Sequence, residues 1–213
     1  MPHQPAIGVD AHVNIFQFKT AYDVDTTNVW TEGTDGSPTF AVQDARGGKA
    51  MISPPTGDNN HAYYITNYEI AGLSAGKGLW ILGSIELADA DDADWFWGLC
   101  AKVSAADALF DARVNAVGFY GADGSALINC ETKLTTASQV SSGESLADAT
   151  EKELAIRVDG VSRAWFYVNG AYVAMRDTYI PTTELAVAFG VRNGATTGIN
   201  TMTLSGIKLI QDY

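Results

Sequence analysis

Residues 151–176 alternate apolar and polar side chains with a period of two, and two glycine-bearing turns cut that stretch into three. Leu154, Ile156 and Val158 point one way, Ala155 and Arg157 the other; Ala164, Phe166 and Val168 oppose Trp165 and Tyr167. Successive side chains of a strand leave opposite faces, so this alternation marks half-buried strands. Asp159-Gly160 and Asn169-Gly170 supply the positive φ angles of tight hairpin turns. The spacing predicts an antiparallel meander over 151–159, 162–169 and 171–176, joined by two-residue turns.

The same period recurs along the chain. Leu79, Ile81, Ile85 and Leu87 oppose Trp80, Ser84 and Glu86; Leu185, Val187, Phe189 and Val191 oppose Ala186, Ala188 and Gly190. Further strands are expected at 13–18, 38–44, 48–53, 61–70, 95–103, 115–121, 126–131, 135–140 and 201–210, one or two of which would serve as loops. The one helical candidate is 104–111. Many strands, little helix and 213 residues predict an all-β, two-sheet antiparallel sandwich, with Leu154, Ile156, Val158, Phe166, Val168, Val187, Phe189 and Leu204 between the sheets. Residues 1–12 read as an extended arm and 13–213 as one domain.

Composition narrows the partners. Thirteen basic and twenty-five acidic residues give a net charge of −12. That disfavours nucleic acid, whose phosphates call for clustered Lys and Arg, and anionic membrane surfaces. No apolar run approaches a membrane span, and the first residues lack the basic and apolar regions of a secretory signal, so synthesis and retention in a cytoplasm are expected. Cys100 and Cys130 are too few for a disulfide scaffold; two buried free thiols are expected unless neighbouring strands bring them together.

The C-terminal half resembles the concanavalin A-like sandwich of laminin G-type, lectin and glucanase domains. The resemblance lies in Val158-Asp159-Gly160, the strand from Ala164 to Val168, Asn169-Gly170 with its following short strand, and the closing strand from Thr203 to Gln211. It covers residues 60–210 and implies a jelly-roll sandwich of two antiparallel sheets. A narrower pattern in the N-terminal half is similar to small head proteins of tailed bacteriophages that decorate or cement the capsid. It comprises Trp30, Thr39-Phe40, Gly47-Gly48, residues 56–60, Tyr63 and the run from Trp95 to Lys102.

Catalytic constellations are sparse. Glucanases of this fold carry Glu, Asp and Glu in the order ExDxxE on one strand, and this chain has no such run. Glu151 and Glu153 could share a strand face, but at a strand start, where a solvated pair is the plainer reading; Glu86 and Glu131 stand alone. Asp89, Asp91, Asp92 and Asp94 offer oxygen ligands without EF-hand spacing, and a solubilising loop accounts for them. His3, His12 and His61 are scattered, and Gly72 to Gly78 lacks the form of a phosphate loop. No catalytic, metal or cofactor residue is therefore assigned.

Aromatic residues are the remaining signal. Trp80, Trp95, Trp97, Trp165 and Tyr167 are candidates for a subunit interface or for sugar stacking, with ordinary packing the third reading. Together these features lead to the expectation of a non-enzymatic structural protein on the exterior of a tailed-phage capsid. Its expected partners are the major capsid protein and its own copies, in a homo-oligomer for which a trimer is one form. The arm would add a strand to a neighbour's sheet. A lectin-like carbohydrate-binding module without catalysis is the alternative, and a glycoside hydrolase the third.

Overall fold

The computed structural model describes residues 11–44, 46–102, 109–194 and 198–212. Its first eight strands are β1 (Ala11–Phe16), β2 (Trp30–Thr34), β3 (Thr39–Asp44), β4 (Lys49–Ser53), β5 (His61–Thr66), β6 (Ala71–Gly72), β7 (Gly78–Leu87) and β8 (Ala93–Cys100). The second eight are β9 (Ala116–Ala122), β10 (Ser125–Lys133), β11 (Ala137–Ser145), β12 (Lys152–Asp159), β13 (Arg163–Val168), β14 (Ala171–Arg176), β15 (Glu184–Asn193) and β16 (Met202–Asp212). A 3-10 turn, Ala21–Val24, follows β1. The expected helix at 104–111 lies mostly outside the described residues, and its last three residues form a turn.

Two antiparallel sheets face each other. One, the meander sheet, runs β14-β13-β12-β7-β16-β4-β3, with β1 also beside β16. The other runs β11-β10-β9-β8-β15-β5-β2, with β6 beside β15. All eight residues expected between the sheets are buried in one core cluster. Around them Trp30, Phe189, Phe40 and Tyr64 pack ring on ring, Trp30 and Phe189 at 5.0 Å and Phe40 and Tyr64 at 4.3 Å. Side chains close one long edge of the sandwich: Thr132 Oγ1 donates to the Thr178 carbonyl at 2.7 Å, Arg176 donates to Ser138, and Lys152 pairs with Glu144.

The meander forms as its sequence predicts, except at one turn. Asn169 and Gly170 both take positive φ, as a two-residue hairpin demands. The Asp159 turn instead uses three residues, 160–162, with the Ser162 amide donating to the Asp159 carbonyl. Gly160 is tied elsewhere: its N–H donates to the Lys77 carbonyl at 2.7 Å, and a Cβ there would lie 2.9 Å from the Ser74 carbonyl oxygen. That docking draws the loop onto the 74–77 turn.

Ala11 and His12, read from the sequence as arm, already pair with Asp212 and Gln211, while residues 1–10 lie outside the described residues. Cys100 and Cys130 are free and buried, and burial pushes both thiols up to about 12. They belong to different clusters, Cys130 between the sheets and Cys100 on the far side of its own sheet, so no disulfide joins them.

Candidate functional site

The two sheets present very different outer faces. That of the second sheet is covered by the chain itself. Residues 109–115 form a strap whose Leu109 and Phe110 pack on Tyr63, Ile65, Phe96, Ala186 and Ala188. Arg113 pins the strap. Its Nε donates to Glu131 Oε1 at 2.7 Å, and its Nη1 to the carbonyls of Leu109 and Phe110 at 3.0 and 3.1 Å. The guanidinium lies 4.8 Å from the Phe96 ring centre, and Gln139 donates to the other oxygen of Glu131. A second arginine, Arg192, clasps Asp94 on β8 and Asp111 on the strap. A buried charge paired and hydrogen-bonded in this way holds its surroundings in one arrangement.

The outer face of the meander sheet is built by register. Residues directly opposite one another across strands share a face. One row therefore crosses six strands as Val13, Ile210, Trp80, Arg157, Trp165 and Met175. The next row crosses the same strands as Ile15, Lys208, Leu82, Ala155, Tyr167 and Tyr172. These twelve positions hold two cations and no acid. Ile15 and Tyr172 are 53% and 60% exposed, unusual for such side chains.

Rings and arginine interlock here. Trp80 stacks near Tyr167 at 5.7 Å, Tyr172 stands edge-on to Tyr167 at 6.1 Å, and Arg157 lies 5.9 and 5.1 Å from the Trp80 and Trp165 ring centres. Beside them a groove of roughly 520 Å³ opens where β16 bulges at Gly206 (φ +44°). Leu82, Ser84, Glu153, Ser205 and Lys208 line it.

Three of the five aromatic candidates, Trp80, Trp165 and Tyr167, thus meet on one face. Trp95 and Trp97 do not: they are 2% and 0% exposed between the sheets, and Phe96 is the residue of that run that points outward, beneath the strap. Neither can serve as an interface or sugar-stacking residue. Val13, Ile15, Ile210 and Tyr172 were missed, because only the pairing of β1 with β16, almost two hundred residues apart, puts them in the rows.

Among the acidic candidates, Glu151 is fully engaged. Burial alone would raise its pKa, but hydrogen bonds from Lys49 (2.7 Å), Ser84 and Ser205 outweigh that and hold it at about 2. It stays ionised near neutrality, which does not suit a proton donor. Glu131 is the buried partner of Arg113. Asp89, Asp91 and Asp148 bring carboxylate oxygens within 4.8 Å of one another and could hold a cation. Burial, then Asp91 and Asp148, raise the pKa of Asp89. Asp94 is instead taken by Arg192, while the Asp92 carbonyl accepts from Gly194 and Asn200. His61 Nδ1 lies 2.6 Å from Asp35 Oδ2, and His12 bonds Asn14; His3 lies outside the described residues.

No family model matches this sequence, and no curated protein matches it by sequence. Solved structures do resemble it. An endo-1,3-β-glucanase from Streptomyces sioyaensis superposes with a TM-score of 0.67 at 12% identity, over 98% of this chain and 99% of that one. Arcelin-5, a lectin-like defence protein from Phaseolus vulgaris, gives 0.66 at 8%, over 96% and 99%. A β-glucanase from Bacillus licheniformis gives 0.60 at 12%, over 92% and 97%. The fold is therefore the concanavalin A-like jelly roll that lectins and glucanases share. At such identities the likeness is one of fold, and function rests on the site.

Proposed function

We propose that this chain is a non-catalytic adhesive module: a structural virion protein that decorates or cements the exterior of a tailed-phage capsid. Its partners are then the major capsid protein and further copies of itself. The observation that carries the reading is the outer face of the meander sheet, where two rows of apolar and aromatic side chains cross six strands with Arg157 over two indoles. Trp, Tyr and Arg are the residues that dominate binding energy at protein interfaces. Here they are pre-stacked on one another, which lowers the ordering cost of docking.

Six strands about 4.8 Å apart and two rows about 7 Å apart cover on the order of 400 Å². That footprint is about half of a standard interface per partner. A single contact is weak, and repetition over a symmetric shell makes it strong through effective concentration. The capsid assignment draws on the resemblance in the N-terminal half of the sequence. Its test is the protein content of purified virions that carry the gene. The chain is expected there at many copies per particle, and its absence removes the capsid reading.

A second reading is a lectin-like module that binds glycan without cleaving it. It is favoured by the groove beside Tyr167 and Tyr172, with Ser84, Glu153, Ser205 and Lys208 as hydroxyl partners, and by the fold shared with lectins. A glycan array with folded protein separates the two: binding lost on Tyr172→Ala supports this reading, and uniform blanks reject it.

A further inference from the structure

Only some of the described cations of this molecule are neutralised within the chain. Arg113, Arg192, Lys49 and Lys152 are each paired with a carboxylate of the chain. Arg157 and Lys208, like Lys77, Lys133 and Arg163 among the described residues, have no such ion pair, although the chain carries twelve more acids than bases; what sets these two apart is where they stand. Both stand in the two central rows of the meander sheet's outer face, where no acid accompanies them. Arg157 is held in place by the faces of Trp80 and Trp165.

We infer that this face receives a protein surface in which two carboxylates, set among apolar side chains, meet Arg157 and Lys208; the inference rests on the adhesive reading above and adds the chemistry of the partner. Docking against the two rows strips water from both cations. A buried charge without a counter-charge opposes binding, so an uncharged apolar surface fits poorly and a carboxylate-bearing one fits well. The two cations lie two strands and one row apart, about 12 Å between Cα atoms, and the partner's carboxylates must match that spacing.

Other occupants fit less well. A second copy placed face to face sets Arg157 and Lys208 against their own like, with no acid in either row to receive them. Uniform polyanions, duplex DNA or an anionic bilayer, meet the net −12 of the chain and the flanking Glu153 and Asp159 as well as the two cations. Two isolated carboxylates carry far less charge against that field than a polyanion does, and screening confines it to about 8–10 Å at physiological salt.

The test selects a display library of random peptides on the immobilised full chain at low salt. Enriched peptides are expected to combine Asp or Glu with Leu, Ile or Phe. A synthetic copy is expected to bind roughly tenfold more weakly to Arg157→Gln and to Lys208→Gln, to weaken as salt rises, and to lose binding to Trp80→Ala. Tyr172→Ala, at an exposed position, repeats that last arm if Trp80→Ala fails to fold. Peptides that need Trp80 or Tyr172 but are basic, uncharged or indifferent to Arg157→Gln overturn the partner chemistry and leave the adhesive face standing. A Trp80-dependent dimer on sedimentation, or Arg157-dependent binding of duplex DNA or phosphatidylserine vesicles, overturns it too. Capture of no peptide dependent on Trp80 or Tyr172 overturns both the inference and the adhesive reading.

Discussion

The two outer faces of this sandwich carry the same kinds of residue to opposite ends. On the strap side, Phe96 and Arg113 are buried beside a partly buried Tyr120, and the arginine's charge is spent on Glu131 within the chain. On the meander side, Trp80, Trp165, Tyr167 and Arg157 form a similar stack that nothing in the described chain covers, and the arginine's charge is left for something else. An aromatic–arginine cluster is therefore not by itself a sign of function. What separates the two is whether the chain supplies its own lid and its own counter-ion.

That contrast can be broken or sharpened by substitution. The largest effect is expected from Arg113→Ala, which strands Glu131 in a buried site. Breaking such a pair costs about 3–5 kcal/mol, on the order of 10 °C in melting midpoint for a domain of this size. Arg157→Ala should change stability by less than about 0.5 kcal/mol. Equal losses, read by denaturant unfolding, would erase the distinction between the two arginines.

Trp97→Ala and Trp80→Ala form the next pair. Emptying the core position should cost about 3–5 kcal/mol; Trp80 faces outward and is only partly buried, and its loss should cost no more than about 1.5 kcal/mol. A thiol reagent then reads the strap directly. Both cysteines should be inert in the native protein, since burial holds both thiols near 12. In Arg113→Ala, Cys100, which shares a cluster with Leu109 of the strap, should react first, and Cys130, between the sheets, should stay protected. Simultaneous labelling would mean that the strap does not open as a separate unit.

The smallest effect concerns the acidic end of the meander face. Glu151 titrates near 2 in the fold and near 4.5 when unperturbed, so its ion pair with Lys49 contributes stability above about pH 4.5 and loses it as pH falls towards 2. Both side chains are about one-third exposed, so Glu151→Gln should lower stability at pH 7 by no more than about 1 kcal/mol. The difference from the parent protein should fade as pH falls through about 2 and vanish below it. A difference that persists there would assign the effect to packing rather than charge.

Much of the fold was legible in the sequence where one sheet face is buried and the other is not. The meander satisfied that condition, so alternation placed Trp165 and Tyr167 outward and Phe166 inward correctly. In β8 the condition fails. Seven of its eight residues are buried because the strap covers the outer face, and a period of two then has no polar phase to reveal which way Trp95 and Trp97 point. β2, with the sequence WTEGT, went unpredicted because its Gly33 lacks a side chain and lies under the ring of Tyr63. The candidate face was legible only in part for a different reason. Its members from β12 and β13 are neighbours in sequence, whereas Val13, Ile15 and Ile210 join them through pairings that local pattern does not encode.

The central claim, that the molecule works through the outer face of the meander sheet, is tested most directly by hydroxyl-radical footprinting of the free chain and of the chain on the virions to which the proposed function assigns it. Trp80, Trp165, Tyr167 and Tyr172 should become protected on assembly, while Tyr22 and Tyr68, 66% and 75% exposed elsewhere on the surface, keep their free-state oxidation. Unchanged oxidation of the four, or protection confined to Tyr22 and Tyr68, would contradict it.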